Sequence, residues 1–252
     1  MIKYFIKQFG GGKSFLLSVG ILYLFLFFSA WEDIGSGMDT LLLLQVTNEL
    51  GVAILLRPIA AALPISFFLM REWGSSYYQM VLSRSSCVRY AVSKVVCAYF
   101  IGFAVPFLAD LLLLFTAAIC SPTWIFGSSL GASSRLFPTL LVQGKPFLAL
   151  LLYVAGFSLA GSIWSVLIVG VSVFTTNGYV LVAAPFLLER VFSYVLQFIG
   201  RKTPFVLCFD TSHSYAFRID HGLELQFAYS LFLCVAVGSL VFLATKRRRH
   251  HG

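Results

Sequence analysis

Long apolar runs separated by short polar segments set the pattern of this chain. A run of about eighteen or more weakly charged apolar residues is typical of a membrane-spanning helix, which satisfies its backbone hydrogen bonds within one segment. We therefore expect an all-α polytopic membrane protein with a single transmembrane domain. The pattern predicts six spans, at 14–31, 51–70, 95–119, 147–174, 179–199 and 227–245. Small residues in the fourth span predict close helix packing there, namely Gly156, Ala160, Gly161 and Ser165.

Three segments outside the spans have patterns of their own. In residues 1–13, apolar side chains fall on one face of a helix and lysines on the other, which is typical of a helix lying in the headgroup plane. Residues 71–94 place aromatic and apolar side chains on one face at helical spacing, which predicts a short amphipathic helix in a loop. Residues 200–226 are polar and predict an outer segment, either fully exposed or re-entrant.

Composition and charge narrow the class and give an orientation. Apolar residues make up 59% of the chain and charged residues 11%, whereas soluble proteins carry about a quarter charged residues. The net charge of +8 does not indicate nucleic-acid binding, because the basic residues cluster at span ends rather than on one soluble face. Short loops rich in Lys and Arg stay on the cytoplasmic side. This rule places both termini and the 71–94 loop in the cytoplasm.

Four charged residues fall within the predicted spans: Arg57, Asp110, Glu189 and Arg190. Such a charge costs about 2.5–3.5 kcal/mol at the bilayer centre unless it is paired or hydrated. Arg57 and Asp110 lie at matching depths, roughly 9–14 Å below the outer surface, on spans joined by one loop. We predict that these two residues form an ion pair or share a polar cavity. For all four residues the alternatives are a structural ion pair or snorkelling to the interface, and direct contact with a substrate.

Motifs for enzyme chemistry are weak. Gly12-Lys13-Ser14 resembles the end of a phosphate-binding loop, but Lys7 stands where that motif needs its first glycine. A G-x-S-x-G motif centred on Ser129 keeps a serine hydrolase as a remote alternative. Its partners would come from the outer segment, from among His213, His221, Asp210 and Asp220. We expect no catalytic, cofactor-binding or metal site in this chain.

The five cysteines show neither metal-ligand spacing nor a disulfide framework. On the predicted topology only Cys120 and Cys208 lie together on the outer side, where disulfides are permitted. The two could pair if their Cα atoms lie within about 7 Å of each other.

A group of residues in and before the 71–94 loop carries a resemblance to a known family. Small residues and prolines precede the loop, and polar and aromatic residues continue into the next span. The group consists of Pro58, Ala61, Ala62 and Pro64, then Glu72-x-Gly74, Ser83-Arg84-x-Ser86, Tyr90 and Ser93-Lys94. With these residues and its six-span topology, the chain resembles the permease subunit of a bacterial type-2 ABC exporter.

This resemblance implies a membrane permease that forms the translocation pathway of an ATP-driven exporter in the bacterial plasma membrane. The permease would pair with a second copy or a homologous permease, and would bind a separate ABC ATPase subunit that carries ATP-Mg. The start of the 71–94 loop would be a coupling helix that contacts the ATPase through Glu72, Gly74, Tyr77, Tyr78 and Arg84. Two other functions stay open: a membrane sensor or immunity protein that binds a ligand without transport, and the hydrolase built on Ser129.

Overall fold

The computed structural model describes residues 12–34, 40–49, 53–73, 86–120, 144–199 and 222–251. Within these residues the chain forms seven helices and no strand, which confirms the all-helical prediction. The helices are α1 (Lys13–Ala30), α2 (Thr40–Glu49), α3 (Ala53–Trp73), α4 (Cys87–Cys120), α5 (Pro146–Val171), α6 (Gly178–Ile199) and α7 (Gly222–His251).

Four of the described helices are long and apolar enough to cross a membrane, by length and composition: α1, α4, α5 and the Leu223–Arg247 part of α7. Large apolar side chains also point outward from these helices, and the most exposed include Phe28, Phe115, Phe147, Phe232 and Leu243. An apolar outer surface of this kind suits a lipid environment. The helices therefore indicate a membrane protein.

The central helix of the bundle is α5, which packs against α3, α4, α6 and α7. A Cβ atom on Gly161 would lie 2.5 Å from the carbonyl oxygen of Gly102 and 2.8 Å from Cγ of Pro106. The backbones of α4 and α5 can approach this closely only because both positions are glycine. Ser165 Oγ donates a hydrogen bond to the carbonyl oxygen of Ala61 at 2.8 Å, which ties α3 to the same crossing. The predicted close packing of the fourth span is thus confirmed.

The largest difference from the predicted spans is at the start of α4. Helix α4 begins at Cys87 rather than at residue 95, so the last part of the predicted 71–94 loop is helical. Four residues of this part, Cys87, Tyr90, Ala91 and Lys94, follow the spacing i, i+3, i+4, i+7, and all four are buried. The buried face of α4 therefore includes polar residues of the predicted 71–94 loop.

Other predicted segments lie partly outside the described residues. These are 1–11 of the interfacial helix, 74–85 of the loop, 121–143 after the third span and 200–221 of the outer segment. The last helix, α7, takes in the end of the predicted 200–226 segment and continues through the basic residues that follow the last span.

Candidate functional site

Three buried side chains, Asn48, Arg57 and Asp110, form a cluster that we call the far-end cluster. Arg57 Nη2 lies 2.9 Å from Asp110 Oδ1, which confirms the predicted ion pair. The same nitrogen donates a hydrogen bond to Asn48 Oδ1. The guanidinium carbon of Arg57 stands 4.6 Å from the ring centroid of Phe157, a cation–π distance. Because α2, α3 and α4 each supply one of the three polar side chains and α5 supplies the Phe157 ring, the site joins four helices.

The far-end cluster is almost fully enclosed. Asn48 and Arg57 are 1% exposed and Asp110 is 0% exposed. Two nitrogens of Arg57, Nε and Nη1, have no hydrogen-bond partner among the described residues. Buried polar atoms are normally paired, so the cluster keeps donors for a buried water or another small polar group.

A second buried group, Glu72, Tyr90 and Lys94, forms what we call the loop-end cluster. Lys94 Nζ lies 2.5 Å from Glu72 Oε2 and donates to the Tyr90 hydroxyl at 2.6 Å. The Tyr90 hydroxyl in turn donates to Glu72 Oε1 at 2.7 Å. The Glu72 carboxylate therefore contacts the charged Lys94 ammonium and accepts from the neutral Tyr90 hydroxyl. All three side chains are buried.

The two clusters lie at opposite ends of the pair formed by α3 and α4. Arg57 and Glu72 are about 22 Å apart along α3, and Lys94 and Asp110 about 24 Å apart along α4, at a rise of 1.5 Å per residue. The loop-end cluster holds the last turn of α3 beside the start of α4.

Glu189 and Arg190, the other two charges within predicted spans, belong to neither cluster. Arg190 Nε lies 3.4 Å from Glu189 Oε2. The Glu189 side chain is buried, but that of Arg190 is 47% exposed and lies over the Phe186 ring. This contact joins neighbours on α6 and does not tie two helices together.

Of the five predicted coupling residues, the structure describes only Glu72. It is 2% exposed and in contact with Tyr90 and Lys94, so it faces the interior of this chain. Gly74, Tyr77, Tyr78 and Arg84 lie outside the described residues, as do Ser129 and the other residues named for a hydrolase. The part of the chain that is described has no group of three or more His, Cys, Asp or Glu side chains able to hold a metal ion.

Sequence reasoning missed the contacts of Asn48 and Lys94. The pattern around Lys94 carried a usable signal, because its spacing from Cys87 and Tyr90 fits the buried face of α4. Asn48 carried none, since it lies on a short helix outside the predicted spans.

Comparison of the chain with protein-family models, with curated proteins and with solved structures gives no match. The class of the protein therefore rests on its own fold. It is a helical membrane protein whose α3 and α4 are joined by buried ion pairs at both ends.

Proposed function

We propose that this chain is the permease subunit of an ATP-driven exporter, and that it couples to a separate ATPase through residues 74–85. The observation that supports this proposal most directly is the loop-end cluster. Because Glu72 and Lys94 are in contact, the two helices that flank the loop are held together at its base. A force applied to the loop would therefore reach α3 and α4 together.

A six-span arrangement with both termini in the cytoplasm is part of this proposal. Helices α3 and α6 would be the second and fifth spans, since their lengths of 21 and 22 residues lie within the range of about 17–25 that crosses a bilayer. The charges within them are supplied with partners. Arg57 pairs with Asp110, and Glu189 lies beside Arg190. Pairing lowers the cost of placing such groups inside a membrane.

Within the proposal, Glu72 is a positioning residue and the rest of the loop makes the contact. A side chain buried against Lys94 and Tyr90 fixes where the loop starts. Gly74, Tyr77, Tyr78 and Arg84 would then form the surface offered to the ATPase. This assignment keeps the predicted coupling segment but changes the role of its first residue.

The proposed mechanism needs no nucleotide on this chain. ATP-Mg binds to the partner ATPase, whose two copies close on each other and draw together the loops of two permease copies. The far-end cluster, about 22 Å along α3 from the loop-end cluster, is where the resulting movement would reach the opposite side of the bundle. Substrate release then depends on the difference in substrate affinity between the two states.

The experiment is isolation of the tagged full chain in mild detergent from its native membranes, followed by mass spectrometry and an ATP hydrolysis assay. We expect a soluble polypeptide with a complete phosphate-binding loop to copurify. Gly74→Trp places a large side chain in the proposed contact surface, so it should reduce the amount of copurified ATPase while the amount of folded chain stays the same.

Gly127→Trp is the matched control, because it makes the same change in the loop that we place on the other side of the membrane. It should leave ATPase association unchanged. If no ATPase copurifies, or if both variants lose it equally, the coupling proposal is wrong. The first of these results would favour a ligand sensor without transport.

A further inference from the structure

An apolar groove of about 410 Å³ runs between the first half of α4 and the middle of α7. Its floor is formed by Ala91 and Val95, which are 1% and 3% exposed. Its rims are open, since Val88 is 56% exposed and Val235 is 69% exposed. The remaining lining comes from Val92, Val96, Cys234, Gly238, Ser239 and Phe242. The groove is large enough for a small ligand, and its open side faces the surroundings of the bundle.

The two helices run antiparallel along the groove, as two contacts show. The Tyr99 hydroxyl lies 3.2 Å from Ser230 Oγ, and Val95 is the side chain nearest to a Cβ atom built on Gly238. A position nearer the N-terminus of α4 thus lies beside a position nearer the C-terminus of α7. The N-terminal end of α4 therefore lies beside the C-terminal part of α7.

Basic side chains gather at that end of the groove. Lys246 is one turn beyond Phe242 on the same face of α7, because residues four apart in a helix are neighbours. Lys246 and Arg247 are exposed, and so is Arg89 in the first turn of α4. Helix α4 begins at this end, where Ser86 accepts hydrogen bonds from the Arg89 and Tyr90 amides, and the positive end of its dipole points the same way. Among the described residues of α3 and α4 at this end, the acidic Glu72 is buried against Lys94.

We propose that this groove binds an anionic phospholipid. One acyl chain lies between α4 and α7, and the phosphate meets Arg89, Lys246 and Arg247. An apolar groove open to the bilayer with a cationic end matches the two halves of such a lipid, and basic sites between membrane helices are suited to anionic headgroups. The inference requires a membrane protein but does not depend on the proposed transport role.

The headgroup contact is tested by native mass spectrometry of the purified full chain after exchange into vesicles of phosphatidylglycerol or phosphatidylcholine. We expect the chain to retain phosphatidylglycerol in preference to phosphatidylcholine. Lys246→Gln should lower that retention about fivefold, the effect of one basic residue near a membrane surface. Lys13→Gln removes an exposed lysine that does not line the groove, so it should change nothing.

The acyl-chain contact is tested by filling the groove. Gly238→Leu adds a side chain to the lining and should abolish the preference, whereas Ala236→Leu adds a comparable side chain to α7 outside the lining and should preserve it. Equal retention of both lipids, or equal loss in a variant and its control, would overturn the proposal. So would efficient cross-linking of Val92→Cys between two copies of the chain in native membranes, because the groove would then be a protein interface.

Discussion

Replacing Asp110 with leucine would leave the Arg57 guanidinium buried at 1% exposure without its carboxylate, which stands 2.9 Å away in the native chain. Removing one partner of a buried ion pair typically costs about 3–5 kcal/mol. Arg57 would keep its hydrogen bond to Asn48 and its contact with Phe157, but a guanidinium cannot lose its charge. The reverse change, Arg57→Leu, leaves a carboxyl group that can bind a proton instead. We therefore expect Asp110→Leu to be the more destabilising of the two.

The double variant Arg57→Leu with Asp110→Leu should be more stable than either single variant, because well-packed apolar residues often replace a buried pair without loss. The assay is the melting temperature of the purified chain in detergent. A loss of 3–5 kcal/mol corresponds to roughly 6–20 °C for a chain of this size. Arg71→Leu is the control, because it removes an exposed arginine from the same helix and should change the free energy of unfolding by no more than about 1 kcal/mol. A double variant no more stable than the worse single one would refute the reasoning.

Two further predictions concern packing and the outer cysteines. Gly161→Ala should destabilise the fold by about 1–3 kcal/mol, because its Cβ would overlap the Gly102 carbonyl. At Gly20 no heavy atom lies within 4 Å of an added Cβ, so Gly20→Ala should be neutral or slightly stabilising in the same thermal assay. Cys120 is exposed, and its pairing with Cys208 stays a prediction. Alkylation of both thiols in the absence of reductant, detected as a mass shift, would exclude the disulfide.

The parts of the fold that sequence could predict are those fixed by bilayer thickness and by the cost of buried charge. Apolar runs of membrane length gave the helices, since a chain in lipid must satisfy its own backbone hydrogen bonds. Arg57 and Asp110 could be paired from sequence because each interrupts an apolar run at a similar depth, and either charge alone would be costly.

The parts that sequence could not predict depend on helix rotation and on tertiary contacts. Asn48 lies on α2, and only the packing of that short helix on α3 brings it to Arg57. The loop-end cluster was missed for a different reason. Tyr90 and Lys94 are polar, so the segment was interpreted as a loop, whereas their burial opposite Glu72 makes them part of a helix face. A polar residue at a buried position of the helical period therefore belongs to the helix when a partner side chain is close enough to pair with it.

The two ion pairs together restrict how the bundle can move. Along the antiparallel pair of helices, α3 carries a buried positive charge at the far end and a buried negative charge at the loop end, and α4 carries the complements. Sliding one helix past the other by a single turn of 5.4 Å would separate both pairs at once. Helices α1 and α7 contact α4 through apolar side chains and through the hydrogen bonds Tyr23–Thr116 and Tyr99–Ser230. The same geometry makes Glu72→Ala a poor test of coupling, because it would leave Lys94 buried without its carboxylate and destabilise the hairpin itself. A substitution at Gly74, beyond the cluster, separates loss of coupling from loss of fold.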